Sequence, residues 1–252
     1  PYVFFYVRDP KLRPIHKASV RDRVLLQAVF RVLYQIFDRK FIFDSYACRY
    51  KKGVHAGVMR LRQFVLRAGA NYRRPVYALK CDVKKFFTNI NHQILMTLLR
   101  REITDENVLW LLEKIISSFG VADGRGLPLG NVTSQLFANV YLNELDQFIK
   151  HTLKEEYYLR YCDDFIIFGN DAERLFTLIS QIENFLCEHL QLALHPQKVQ
   201  VCKLSRGIDF LGYVTLPYHR VLRTKTRRRI LKRLSELHNA DDFYQLWQSY
   251  LG

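Results

Sequence analysis

Residues 157–168 read YYLRYCDDFIIF, two runs of aromatic and aliphatic side chains separated by a short polar step. Each run has strand composition and the gap is hairpin spacing, so the stretch is expected to be two antiparallel strands with Asp163 and Asp164 in the turn. Aspartate is a good turn residue, and that alone accounts for most Asp-Asp pairs. Two features point further. The flanks are β-branched or aromatic rather than Gly or Asn, and a second strand, PVYALKCDV over 75–83, ends on Asp82. If the two strands are neighbours, two or three carboxylates meet at one edge of a sheet.

Carboxylates that close repel one another unless they are protonated or bind metal. An all-oxygen cluster suits Mg²⁺, which takes one or two carboxylates and completes its shell with water and phosphate oxygens. Two such ions about 3.5–4 Å apart form the clamp of in-line phosphoryl transfer.

The remaining elements follow from apolar spacing and caps. SVRDRVLLQAVFRVLYQIFD over 19–38 repeats apolar residues at three and four behind Ser19, which predicts a helix. Helices are also predicted after Asn91 and Asp105, from Thr133 and from Ala172. From the first of these strands onward the order β–α–α–α–β–β–α–β describes an α+β fold, a ferredoxin-like core with helices on one face of an antiparallel sheet. A fold of this kind does not specify chemistry.

Charge narrows the partner. The 252 residues carry 39 Lys+Arg against 24 Asp+Glu, a formal +15, which favours a polyanion, nucleic acid above all. The apolar fraction of 49% excludes a disordered chain and allows one large domain or two to three modest ones. Five scattered cysteines with no C-x-x-C pair support neither a disulfide framework nor a zinc site, and a reducing, cytoplasmic setting is expected. No apolar run approaches the roughly 20 residues of a membrane span, so no membrane partner is expected. The chain begins at Pro1 without Met and is read as a piece of a longer protein.

Five stretches in order resemble the reverse transcriptases of prokaryotic retroelements: CDVKKFFTNI, GRGLPLGNVTSQLFANVYLNELD, YCDDF, LHPQKVQV and GIDFLGYV, preceded by KLRPIHKASVRDRVLLQAVF. The resemblance implies a right-hand polymerase with fingers over 1–74, a palm over 75–222 carrying a fingers-like insertion at about 92–125, and a helical thumb begun over 223–252 and cut short. It implies an RNA-directed DNA polymerase that uses two Mg²⁺ ions, with Mn²⁺ as a substitute. Asp82, Asp163 and Asp164 are then the catalytic metal ligands, joined by the Val83 carbonyl. Lys198 is the general acid for the leaving pyrophosphate. Phe87 lies beneath the incoming sugar and excludes a 2′-hydroxyl. Lys11 and Arg13 grip the triphosphate. Leu129, Gly130 and Gln135 pack against the nucleotide and templating base. Phe210, Leu211 and Gly212 form the primer grip, and Arg227, Arg228 and Arg229 on a basic helix follow the duplex phosphates. The implied partners are an RNA template, a DNA or RNA primer and deoxynucleotides, with an accessory protein subunit left open.

By composition alone several of these positions are ordinary: Lys11 and Arg13 as solvated charges, Lys198 as a loop lysine, Phe87 as a core ring beside Phe86, residues 210–212 as plain core. Many relatives carry Gln where this chain has Leu129, and LGNVTSQ is most like the enzymes of diversity-generating retroelements, which implies error-prone copying. Retron-like and antiviral-defence reverse transcriptases share that wording. A non-catalytic RNA-binding or maturase-like scaffold and an RNA-templated RNA polymerase are the competing readings; the three aspartates argue against the first and Phe87 against the second.

Overall fold

Phe165, Ile166, Ile167 and Phe168 are consecutive and all buried, so the strand that holds them must be covered on both faces. That requirement organises the chain. The computed structural model describes residues 2–8, 12–119, 124–236 and 244. Strands β1 (Tyr2–Arg8) and β2 (Leu12–Ala18) form an antiparallel ribbon. Helices α1 (Val20–Phe37) and α2 (Val54–Ala68) follow. The Ser19 side chain accepts from the Asp22 N–H at 3.1 Å, the cap expected of that stretch.

The central sheet begins with β3 (Tyr77–Asp82). A short helix α3 (Phe86–Asn89), then α4 (His92–Arg100) and α5 (Glu106–Ser117) lead to α6 (Val132–Gln147). Asn91 and Asp105 cap α4 and α5 through their side-chain oxygens, each accepting two N–H groups. The hairpin β4 (Tyr158–Tyr161) and β5 (Asp164–Gly169) is followed by α7 (Ala172–Leu190), capped by Asp171, and by β6 (Gln200–Lys203). The sheet order is β4-β5-β3-β6, all antiparallel, which is the ferredoxin-like arrangement.

Alternation along the strands splits the core in two. Leu79, Cys81, Phe165 and Ile167 face α6 and α7 in one cluster; Ala78, Ile166 and Phe168 join Leu61, Phe64 and Val65 of α2 in another. The helices of the ferredoxin-like unit therefore lie on one face, and α2, from the preceding segment, covers the other.

A second sheet, β7 (Ile208–Phe210), β8 (Tyr213–Thr215) and β9 (Arg220–Leu222), extends the α2 side, and α8 (Thr224–Ser235) leaves from it. No residue of α8 is buried. Ile230 and Leu234 are half-buried and Leu231 is exposed, while Leu237 of the expected apolar side lies outside the described residues. Among the described residues no helix is long and apolar enough to cross a membrane.

Candidate active site

The sheet brings the three aspartates to one edge, with one change from expectation. Tyr161 pairs with Asp164, so the two-residue turn holds Cys162 and Asp163, and Asp164 is the first residue of β5. Cys162 takes φ 57, the conformation that such a turn demands at its first position and that glycine adopts at least cost. Asp82 at the end of β3 pairs directly with Asp164. The Val83 N–H donates to the Asp163 carbonyl at 3.2 Å, tying the turn to β3.

A loop between α7 and β6 straps the same edge. The His195 N–H donates to the Asp82 carbonyl and the Lys84 N–H to the Ala193 carbonyl, each at 2.8 Å. This places the Lys198 ammonium 2.6 Å from Asp82 Oδ2. Lys198 thus neutralises Asp82, which is 6% exposed.

The other two carboxyls have less help. Burial pushes Asp163 above the usual carboxylate range and the Asp82 charge adds to the rise, while its own backbone N–H and Lys198 oppose it. Asp164 is raised to about 6, by burial first, with Lys80 opposing and Asp163 and Asp82 adding. Lys80 is tied down by donating to the Asp209 carbonyl at 2.9 Å.

Among the described residues no three His, Cys, Asp or Glu side chains close into a metal cage. The donor set nevertheless fits a hard divalent cation: it is all oxygen, and two of its members are raised by burial and by the neighbouring carboxylates, a cost that a bound cation would relieve.

Because the folded state raises the Asp164 pKa, the stabilisation linked to its proton is full below the ordinary carboxylate range and is lost as pH climbs through about 6. Asp164→Asn should therefore melt several degrees higher than the parent at pH 8 in EDTA, with the gap closing near pH 4. Melting curves across that range check it; a gap independent of pH would refute the linkage.

The hairpin also rests on a group that the sequence reading missed. Arg160 of β4 is fully buried and all its N–H donors are used. Nε and Nη2 meet Asp146 of α6 at 2.8 and 2.6 Å, Nη1 donates to Asn139 Oδ1 and to the Cys162 carbonyl at 3.1 Å each, and Nη2 donates to Ser45 Oγ at 3.2 Å. Tyr158 Oη completes the Asp146 carboxylate at 2.6 Å. An arginine inside the apolar run YYLRY was the available signal, with NELD on the next helix inward as its partner.

The remaining predicted positions spread around this edge. Phe87 is half-buried, its ring 5.3 Å from that of the buried Phe86, and its carbonyl accepts from the Leu127 N–H at 2.8 Å. Leu129 is half-buried, and its carbonyl accepts from the His16 N–H at 2.9 Å, which joins the loop before α6 to the β1–β2 ribbon. Gly130 has φ 115, and a Cβ there would stand 3.0 Å from Ile15 Cγ2, so the approach of the ribbon requires glycine. Gln135 is exposed on the first turn of α6, and Arg13 is exposed on β2. Lys11 lies outside the described residues.

Phe210 is buried at 1% exposure, and Leu211 and Gly212 form the turn between β7 and β8, with φ 54 and φ 84. The Gly212 carbonyl accepts from the Arg223 N–H at 2.9 Å, so α8 starts at that turn. On α8, Arg227 and Arg228 are exposed and Arg229 is half-buried, so the three do not share one fully solvated side.

An antiparallel ferredoxin-like sheet with three acidic side chains at one edge, flanked by a ribbon and a basic helix, is the arrangement of a nucleotide-polymerase fold. The chain belongs to the reverse transcriptase (RNA-dependent DNA polymerase) family, which it matches over residues 8–215. Enzymes of this family generally use divalent metal ions. Protein YkfC of Escherichia coli (strain K12) is 25% identical over 89% of this chain and 67% of its own length. The group II intron-encoded protein LtrA of Lactococcus lactis subsp. cremoris is 25% identical over 81% of this chain and 44% of its own. In fold, the chain is similar to telomerase from Candida albicans, solved with a fragment of telomeric RNA, with a TM-score of 0.61 at 13% identity over 92% of this chain and 49% of that one. The chain thus spans about half or less of the length of several proteins it matches.

Proposed function

We propose that this chain is the polymerising part of a prokaryotic retroelement reverse transcriptase that copies an RNA template into DNA from a DNA or RNA primer. The observation that carries the reading is the pairing of Asp82 with Asp164 beside Asp163. Asp82, Asp163, Asp164 and the Val83 carbonyl would hold Mg²⁺, which supplies charge neutralisation for phosphoryl transfer when bound. Lys198 guards Asp82 in its absence and is then free to donate a proton to pyrophosphate. Arg13 on the ribbon, together with Lys11 nearby in sequence, would meet the triphosphate, with Gln135 and Gly130 beside the base pair. The segment boundaries 1–74, 75–222 and 223–252 are the corresponding fingers, palm and thumb.

A primer–RNA template extension assay tests the reading. Template-dependent elongation with deoxynucleotides and Mg²⁺ is expected. RNA binding without any elongation, in Mg²⁺ or Mn²⁺, would favour a maturase-like scaffold instead.

Phe87 is the proposed sugar gate. Phe87→Ala should lower the preference for deoxynucleotides over ribonucleotides by at least about tenfold, since a rigid ring rejects one hydroxyl by contact alone. An unchanged ratio in single-nucleotide kinetics would move the gate to another side chain.

Leu129 carries the finer reading. Glutamine at this position could donate and accept hydrogen bonds around the nucleotide, whereas leucine offers bulk only, a difference on the order of 1 kcal/mol in orientation. The enzyme should copy with low fidelity, as expected of a diversity-generating retroelement, with errors concentrated opposite template adenines. Sequenced cDNA decides this; an even, low error spectrum that Leu129→Gln leaves unaltered would refute it.

A further inference from the structure

A second basic and aromatic site lies at the opposite end of β3 from the aspartates. The loop after α2 places three consecutive non-glycine residues, Ala70, Asn71 and Tyr72, at φ 46, 55 and 66. Such a run is costly, and it is held by the Asn71 N–H on the Leu66 carbonyl and the Arg74 N–H on the Gly69 carbonyl, each at 2.9 Å. The result is a Tyr72 ring set 5.0 Å from that of Tyr218, on the turn between β8 and β9, at an interplanar angle of 54°. Tyr218 is 79% exposed.

The two tyrosines border a notch of about 200 Å³ that Arg62 and Arg220 also line. Among the described residues no carboxylate lines it. Arg73 and Arg74 are exposed next to Tyr72. None of these four arginines is ion-paired among the described residues. Arg220 is braced, its guanidinium 5.2 Å from the Tyr213 ring centroid. The Asn170 side chain, just past the end of β5, donates to the Ala68 and Pro75 carbonyls at 2.8 Å each, which holds the loop after α2 at the end of the sheet opposite Asp164, the first residue of β5.

We propose that this notch is a binding site for single-stranded RNA outside the catalytic cleft. A base stacks on the exposed face of Tyr218, and neighbouring phosphates meet Arg62, Arg73, Arg74 and Arg220. Aromatic faces ringed by guanidinium groups suit unpaired bases and their backbone together. An acidic peptide would answer the charge but leave the tyrosine face uncovered. The proposal rests on the polymerase reading only for the expectation that the RNA is the template molecule or one that carries it.

The test is fluorescence anisotropy of a labelled, unstructured RNA oligonucleotide with the whole chain and three variants. Tyr218→Ala should weaken binding about tenfold and Tyr218→Phe should restore it. Arg73→Gln with Arg74→Gln should flatten the slope of log affinity against log salt by about 1.4, at roughly 0.7 per lost phosphate contact on a single strand. Elongation of a short template-primer at saturating concentration should be unchanged in all of them, which separates this site from the catalytic one: an inactive parent chain counts against the polymerase reading, not against the notch. Affinity and slope equal to the parent's overturn the proposal. So does polyglutamate binding that the same substitutions weaken while RNA binding holds, which would assign the notch to an acidic protein.

Discussion

Asp163→Asn is expected to reduce nucleotide incorporation by at least about a thousandfold, a loss on the order of 4 kcal/mol in transition-state stabilisation, while template-primer affinity changes little. The substitution is isosteric, and the contact that secures the turn runs through the backbone carbonyl to the Val83 N–H at 3.2 Å, so the hairpin should keep its shape. What disappears is a negative charge in a place that already resists it. Burial and the Asp82 charge push the Asp163 carboxyl upward, and Lys198 is engaged at 2.6 Å with Asp82. A site of that kind is incomplete until positive charge arrives, which ties its ionisation to Mg²⁺ uptake. The parent is expected to melt higher with Mg²⁺ than without it, and the variant should lose most of that rise. Near-parental incorporation by Asp163→Asn would sink the two-metal assignment, whatever the melting curves do.

The parts of the fold that were legible in sequence are those set by local chemistry. The helix expected over 19–38 is Val20–Phe37 because Ser19 caps it with its own side chain, and Asn91, Asp105 and Asp171 start their helices in the same way. The strand ending on Asp82 and the hairpin opposite it were readable from apolar runs between turn signals. Register was not. When both faces of Phe165–Phe168 are buried, the apolar pattern is the same whichever way the strand slips, so the turn could be read one residue late. The β1–β2 ribbon carries Val3, Phe4 and Tyr6 at 50% exposure or more, a pattern without a core face and so without a strand signal. The short strands of the second sheet have only three residues each, too few for periodicity. The site divides similarly. Asp82, Asp163 and Asp164 were legible as charges out of place, whereas the contacts of Lys198 with Asp82 and of Arg160 with Asp146 join residues far apart in the chain and needed the fold.

Arg160 ties the hairpin to α6 and to the turn carbonyl, and Arg160→Met should therefore be the most damaging single change in the hairpin. Removing one partner of a fully buried pair leaves Asp146 charged and unmatched at 0% exposure, at a cost of about 3–5 kcal/mol, comparable to the whole stability of a modest domain. The urea midpoint should fall accordingly. A companion variant separates folding from positioning. Arg160→Met combined with Asp146→Leu and Tyr158→Phe removes the charges and the hydroxyl together, and apolar replacement of a buried ion pair is often neutral, although Asn139 Oδ1 and Ser45 Oγ lose their donor. The triple variant should thus regain a clear part of the lost stability. It should not regain activity, because the Cys162 carbonyl still lacks the Nη1 donor that holds it at 3.1 Å, and Cys162 is the residue at positive φ that aims Asp163 toward Asp82. A turn at unfavourable φ with no donor on its carbonyl can relax, and a displacement of about 1 Å at a metal ligand is enough for a loss of around a hundredfold. If the triple variant recovers stability and incorporation together, the guanidinium serves packing alone, and the hairpin is aimed by the Val83 contact without it.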